Sequence, residues 1–265
     1  MADLICSNLS MTFDDPRTGS IVEALKDINF TLKQGEILSV LGPSGCGKTT
    51  LLNIIAGFLN PSAGHLTLGG AVVEAPGVER GMVFQQGALF EWLTVARNVD
   101  FGLRMKDMPE AERVVEIEKW LEIVGLSGFG DTPTYQLSGG MQQRVALARC
   151  LVNDPDVILM DEPLEALDAL TREKMQSLVL ELWKQTGKTI IIITHSVEEA
   201  LLLGERLFVM APRPGRIHRE YTLPFAEKGL KKSLRDIKQQ KDFNTVKEEI
   251  LTMIWNMEEE IMGGA

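Results

Sequence analysis

The sequence predicts an α/β fold, a parallel sheet wound on both faces by helices. Three observations predict it. The run Glu36-Ile37-Leu38-Ser39-Val40-Leu41 reads as a buried strand, and a glycine-rich turn joins it directly to the helix-forming Thr50-Leu51-Leu52-Asn53-Ile54-Ile55-Ala56. The short apolar runs at 157–160, 189–193 and 207–210 have strand length and strand composition. A helical segment over 171–184 separates two of them, and alternating strands and helices are the pattern of a parallel sheet.

The elements follow in order. Residues 4–35 read as strands; 24–32 alternates apolar and polar side chains, and Lys33-Gln34-Gly35 makes a turn. Asp14-Asp15-Pro16-Arg17-Thr18-Gly19-Ser20 is a loop. After the first helix, Asn60-Pro61-Ser62-Ala63-Gly64 breaks the chain, and His65-Leu66-Thr67-Leu68 resumes a strand. Val83-Phe84 is a short strand ending at Gln85-Gln86. Residues 95–126 turn helical, with Val114, Ile117, Leu121 and Val124 at helical spacing, Trp120 beside them, and Glu112, Glu116 and Glu118 mostly elsewhere on the wheel. This predicts a helical insert in the α/β core. Ser138 is placed to cap a helix running through Ala148. Beyond Pro214-Gly215-Arg216 the chain is more polar, and 228–241 is basic. Val246, Ile250, Met253, Ile254, Met257 and Ile261 mark one stripe of a final helix, and Gly263-Gly264-Ala265 is expected to fray.

Length and composition bound the function. A chain of 265 residues suits one large α/β domain or a core with an inserted subdomain, and 45% apolar residues supply a sizeable core. The formal net charge of −10 argues against nucleic acid as a main partner. Three cysteines, Cys6, Cys46 and Cys150, show no C-x-x-C spacing, so neither a disulfide framework nor a zinc site is expected, and a reducing compartment suits them. Met1-Ala2-Asp3-Leu4 has no basic or apolar leader character. The apolar runs fall far short of the roughly 20 residues that cross a bilayer, so any membrane role is expected through a partner.

The turn after Leu41 carries the chemistry. Gly42-Pro43-Ser44-Gly45-Cys46-Gly47-Lys48-Thr49, with Thr50 behind it, fits G-x-x-x-x-G-K-[ST], a loop that cradles phosphates. Between a strand and a helix, such a loop points successive N–H groups at one spot and adds the positive end of the helix dipole. Lys48 can reach β- and γ-phosphates, and the Thr49 hydroxyl can ligate Mg²⁺. Met160-Asp161-Glu162 ends an apolar run, where one carboxylate can hold Mg²⁺ and its neighbour can orient or deprotonate a water. A second anion site stands at Ser138-Gly139-Gly140, a hydroxyl and two glycines opening a helix. One nucleotide does not obviously need two such sites from one chain; an ordinary capped helix is the other reading.

Leu137-Ser138-Gly139-Gly140-Met141-Gln142-Gln143-Arg144 resembles the signature segment of ATP-binding-cassette ATPases, which other phosphate-loop proteins lack. The resemblance runs over about residues 4–225 with the motifs in family order. It implies a P-loop NTPase (RecA-like) parallel-sheet core with an antiparallel β subdomain and an inserted helical subdomain. The ATPase domain would span 1–225, the helical insert about 87–150, and a short C-terminal helical extension 226–265. It also implies roles. Gln85 matches the glutamine that senses Mg²⁺ and the transport partner, Asp161 the magnesium-side aspartate, and Glu162 the catalytic glutamate. Asp168 matches the aspartate that communicates across a dimer, and His195 the histidine that contacts the γ-phosphate. Phe13 is the candidate for stacking on adenine, with a core position as its other reading. ATP and Mg²⁺ are the implied cofactors. Two copies would pack head to tail, each site pairing Lys48, Thr49, Gln85, Asp161, Glu162 and His195 of one with Ser138 and Gly140 of the other.

Three stretches are similar to the nitrate/sulfonate/taurine importer branch: Pro76-Gly77-Val78-Glu79-Arg80-Gly81-Met82-Val83-Phe84-Gln85, Asp168-Ala169-Leu170-Thr171-Arg172 and Pro212-Arg213-Pro214-Gly215-Arg216. That branch implies transmembrane permease subunits as partners, a periplasmic or lipid-anchored solute-binding protein acting indirectly, and a peripheral position on the cytoplasmic face of the inner membrane. Gly87-Ala88-Leu89-Phe90-Glu91-Trp92-Leu93 would receive a permease helix, with Phe90 and Trp92 as anchors or, alternatively, as subdomain core. Taurine, alkanesulfonates, nitrate, bicarbonate and pyrimidine precursors are all open as solute within this branch, because an ATPase subunit does not touch it. A non-transport cassette protein and an exporter ATPase are the competing functions. Two positions depart from the family pattern: Leu164, where Phe is frequent, and Glu165, where Gly or Ser is usual.

Overall fold

Alternation of side chains across two faces organises the centre of the protein. In this computed structural model, which describes residues 2–14, 19–85 and 88–263, Ile37, Leu41, Ile190, Ile192, Leu207 and Val209 join one hydrophobic cluster. Their strand neighbours Leu38, Val40, Ile191, Ile193, Phe208 and Met210 join another. Successive strand residues point to opposite faces, so a strand covered on both sides must be apolar throughout. That is why these segments read as unbroken apolar runs.

The chain begins with β1 (Leu4–Asp14) and β2 (Ile21–Leu32), followed by β3 (Ile37–Leu41) and α1 (Lys48–Ala56). Next come β4 (Ala63–Leu68), β5 (Ala71–Val72), β6 (Arg80–Val83), α2 (Val95–Met105), α3 (Glu110–Ile123) and α4 (Gly139–Leu151). Then β7 (Val157–Asp161), α5 (Ala169–Thr186), β8 (Thr189–Ile193), α6 (Val197–Leu203), β9 (Arg206–Ala211) and β10 (Arg216–Thr222) follow. The chain closes with α7 (Phe225–Gly229), α8 (Leu234–Lys238) and α9 (Lys241–Gly263).

Two sheets result. A six-stranded sheet has the order β10-β9-β3-β8-β7-β6, parallel except for the antiparallel edge strand β10. A four-stranded sheet has the order β2-β1-β4-β5, with its named ladders antiparallel. One cluster fills the space between the larger sheet and α4, α5 and α6, with Val145, Val179 and Leu201 among its members. The other fills the space between that sheet, α1 and the smaller sheet, through Leu52, Ile55, Leu4 and Ile28. Phe30 of β2 meets Phe208 of β9 edge-on at 5.4 Å between ring centroids, which ties the two sheets together. The expected α/β class with a parallel core, an antiparallel sheet and inserted helices is what forms.

Some expectations are corrected. Residues 95–126 make two helices, because the chain turns at Lys106 and α3 starts after Pro109, whose ring fixes φ and suits a helix start. Val114 is 47% exposed, so the buried stripe of α3 is Ile117 and Leu121, continued by Val124. The strand expected at Val83-Phe84 runs instead over Arg80–Val83, where it pairs with β7, and Phe84 lies beyond it. α1 begins at Lys48, two residues earlier than expected. β10 carries no apolar alternation, since it is an edge strand with mostly exposed residues. Residues 15–18 of the first loop, Gln86, Gly87, Gly264, Ala265 and the side chain of Ile261 lie outside the described residues.

One bond locks α5 to the sheet's edge of entry. The indole N–H of Trp183 donates to the carbonyl of Gly35 at 2.7 Å from a buried position. Trp183→Phe keeps most of the packing but orphans that carbonyl, so it should cost about 1–2 kcal/mol, read as a lowered urea midpoint with an unchanged slope. An unchanged midpoint would mean that water replaces the indole without loss.

Candidate functional site

The phosphate-type loop leaves the end of β3 and enters α1. Two of its glycines are required. A Cβ on Gly42 would sit 2.6 Å from the Met210 carbonyl oxygen and 2.7 Å from Cys46 Sγ. Gly47 has φ +87, and a Cβ there would also come within 2.9 Å of the Ala24 carbonyl oxygen. Gly47 supplies no side-chain cap, so the first N–H groups of α1 are left for a ligand. Lys48 is 9% exposed and lies back across the loop, donating from Nζ to the carbonyls of Gly42 (2.7 Å) and Pro43 (3.1 Å). Cys46 is buried beneath it, and burial raises its thiol pKa although the Lys48 ammonium pulls it down.

This loop forms the floor of a cleft of about 720 Å³. Gly42 to Thr50 line it on one side, and Glu162, Glu165 and His195 on another. Glu162 follows β7 and His195 follows β8, adjacent parallel strands whose carboxyl ends open at the same edge. The Glu162 backbone N–H donates to the Ile193 carbonyl at 2.9 Å, and its φ of +46 is a strained value for a residue with a Cβ. Its carboxylate comes within 3.5 Å of His195 Nδ1. Glu165 Oε1 stands 3.7 Å from His195 Nε2, and its other oxygen accepts a hydrogen bond from the side-chain amide of Gln85. Gln85, beyond the end of β6, thus reaches the cleft's acids through Glu165.

Acids gather around the Lys48 ammonium. Burial raises the Asp161 carboxyl above its usual range, and Lys48 opposes this. Behind the wall, Glu199 of α6 is 3% exposed. Burial pushes it up to about 7, against Arg172 and a hydrogen bond to Thr194; Glu162 and Glu165 push it further up.

The other anion site lies elsewhere. Ser138 caps α4, its hydroxyl accepting from the Met141 N–H at 3.4 Å, but Ser138, Gly139 and Gly140 do not line the cleft. They neighbour the start of α5, where a Cβ on Gly139 would lie 3.8 Å from Leu167. Asp168 caps α5 by accepting from the N–H groups of Leu170 and Thr171, both at 3.1 Å. Its hydrogen bond to the Thr171 side chain, with those from the backbone N–H groups of Thr171 and Leu170, holds its pKa low. Phe13, 39% exposed, pairs across β1 and β2 with Val22, which lines the cleft, although Phe13 itself does not. Sequence reasoning missed further lining residues: Glu23 and Ala24 of β2, Arg213, and Ile254 and Glu258 of α9. The last two stand four residues apart on one helix face, and only tertiary packing brings them to the loop.

Comparison with known proteins bears on what this cleft serves. A family profile described as ABC transporter matches residues 25–165. The taurine import ATP-binding protein TauB of Pelagibacter ubique is 73% identical over 263 residues, spanning 99% of this chain and 99% of that protein. The chain belongs to the ABC transporter family. The TauB protein of Roseobacter denitrificans is 66% identical, spanning 100% of this chain and 98% of its own length. Among solved structures, a dimeric ATP-binding cassette in a post-hydrolysis state bound to ADP and Pi superposes with a TM-score of 0.73 at 35% identity, over 83% of this chain and 98% of that one. As an ABC ATPase, the chain binds ATP and hydrolyses it to ADP and phosphate, coupled to transport.

Proposed function

We propose that this chain is the ATPase subunit of a taurine importer. The observation that carries the reading is full-length similarity, at 73% and 66% identity, to two proteins named for taurine import. Residues 1–225 form the ATPase body with a helical insert at about 87–150, and 226–265 form an extension. Two copies close head to tail over two ATP molecules, and a dimeric cassette among the structural relatives supports this. So does the position of Ser138, Gly139 and Gly140 outside their own chain's cleft. They complete the partner copy's site, and Asp168 at the adjoining helix start communicates between the two.

The donor set suits Mg²⁺. Thr49 offers a hydroxyl, Gln85 an amide oxygen and Asp161 a carboxylate, all hard oxygen ligands; burial raises the Asp161 carboxyl's pKa, and Lys48 opposes this. When bound, Mg²⁺ offsets negative charge on the phosphates. Most of the remaining chemistry is positioning and charge stabilisation. The N–H groups of residues 44–49 and the Lys48 ammonium hold phosphate oxygens, Glu162 aligns and deprotonates the attacking water, and His195 holds the γ-phosphate. Phe13 stacks on the adenine.

Among the described residues no helix is long and apolar enough to cross a membrane. Similarity to an importer's ATP-binding protein supports a subunit that sits on the cytoplasmic face of the inner membrane by docking to permease subunits, with a solute-binding protein delivering taurine to them from the other side. A groove of about 500 Å³ with Phe84, Phe90 and Phe101 in its wall suits a permease helix, and Trp92 beside it is 79% exposed. Phe90 packs against Phe101 with ring centroids 4.5 Å apart and ring planes tilted by 43°. Deleting the gene should abolish uptake of labelled taurine, and a plasmid copy should restore it. Undiminished taurine uptake with loss of nitrate or alkanesulfonate uptake would reassign the solute.

A further inference from the structure

Glu165 stands at a position where the resemblance leads one to expect Gly or Ser, and its carboxylate is the hub of the cleft's acidic wall. One oxygen accepts from the side-chain amide of Gln85, 80 residues away in the chain. The other lies 3.7 Å from His195 Nε2, while Glu162 approaches the opposite ring nitrogen at 3.5 Å. The backbone beneath it is fixed as well. Arg172 of α5 donates to the carbonyls of Leu164 (3.3 Å), Glu165 (3.4 Å) and Leu167 (2.8 Å), which clamps the turn between β7 and α5.

An ionised carboxylate can only accept hydrogen bonds, whereas a glutamine amide has a donor end and an acceptor end. A carboxylate that holds Gln85 therefore selects its NH₂ end. The carbonyl oxygen of Gln85 is then turned away from Glu165 and left available as a ligand. A glycine or serine at 165 would impose no such choice, since a serine hydroxyl donates as readily as it accepts.

We infer that Glu165 is a positioning residue that sets the amide orientation of Gln85 and presents its carbonyl oxygen to the divalent cation accompanying ATP. It acts through Gln85 and does not itself touch the nucleotide. The inference rests on the reading of the cleft as the ATP and Mg²⁺ site. It predicts that cation affinity, rather than ATP affinity, responds to the side chain at 165.

The test uses the full chain carrying Glu162→Gln, so that ATP persists, with Mn²⁺ as a paramagnetic probe of the cation site. Mn²⁺ binding to the ATP complex is read by electron paramagnetic resonance, and ATP binding and thermal midpoint are measured on the same samples. Glu165→Gln and Glu165→Gly should weaken Mn²⁺ binding by about 3- to 10-fold, the size of one orienting hydrogen bond, with ATP affinity within about twofold. Glu165→Asp, which keeps an acceptor-only group, should recover part of the loss. Equal Mn²⁺ affinity in all variants would overturn the inference, as would parallel losses of Mn²⁺ affinity, ATP affinity and thermal midpoint, the mark of a merely structural role. Glu165→Gln is nearly isosteric and keeps the test decisive if the glycine variant does not fold. Absence of ATP binding in the parent chain would instead sink the reading of the cleft.

Discussion

Replacing Glu162 by Gln should yield a protein that binds ATP and scarcely hydrolyses it. The side chain lines the cleft, its backbone is held at φ +46 by the bond to Ile193, and His195 stands beside it. Gln has the same shape and keeps that geometry, but it cannot take a proton from water. Removing a positioned general base costs about 10²- to 10⁴-fold in rate, so kcat should fall by that factor. Affinity should hold or improve, because a negative charge facing the phosphates disappears. With hydrolysis blocked, the ATP-bound dimer should accumulate and be visible by light scattering. Phosphate release at the parent rate would remove Glu162 from the role of base.

Lys48→Ala should lose most of the affinity for ATP. The ammonium is the cation positioned within the loop, and in this structure it is spent on the carbonyls of Gly42 and Pro43. Phosphate oxygens must exchange with those carbonyls, so what ATP gains is a difference between two sets of charge-assisted bonds. A hydrogen bond to a charged group contributes about 1.5–3 kcal/mol, which sets the expected weakening at about 10- to 100-fold by calorimetry. The variant also leaves two loop carbonyls without their donor, and a modest drop in thermal midpoint should accompany the loss. Unchanged ATP affinity would show that backbone N–H groups alone carry the phosphates.

The core strands β3, β7, β8 and β9 were legible because burial on both faces forces every residue to be apolar, and the loop from Gly42 was legible because its residues are contiguous. Ser138-Gly139-Gly140 could be read for the same reason. The edge strand β10 was not, since its exposed Arg216, His218 and Glu220 carry no alternation that a core would impose. Val114 misled because three residues at helical spacing beside it are buried while it faces solvent. The meeting of Gln85, Glu165 and His195 depends on β6, β7 and β8 lying side by side. The approach of Ile254 and Glu258 to the loop depends on where α9 packs, and no local pattern encodes either.

The burial of Cys46 also makes the phosphate loop hard to reach by thiol chemistry. Only thiolates react readily with alkylating agents and oxidants, and Cys46 is 0% exposed with its thiolate disfavoured by burial. Cys6 and Cys150 are likewise buried and pushed up to about 12. Thiol-directed reagents therefore meet no exposed cysteine in this fold, and labelling of Cys46 counts openings of the loop rather than collisions with it.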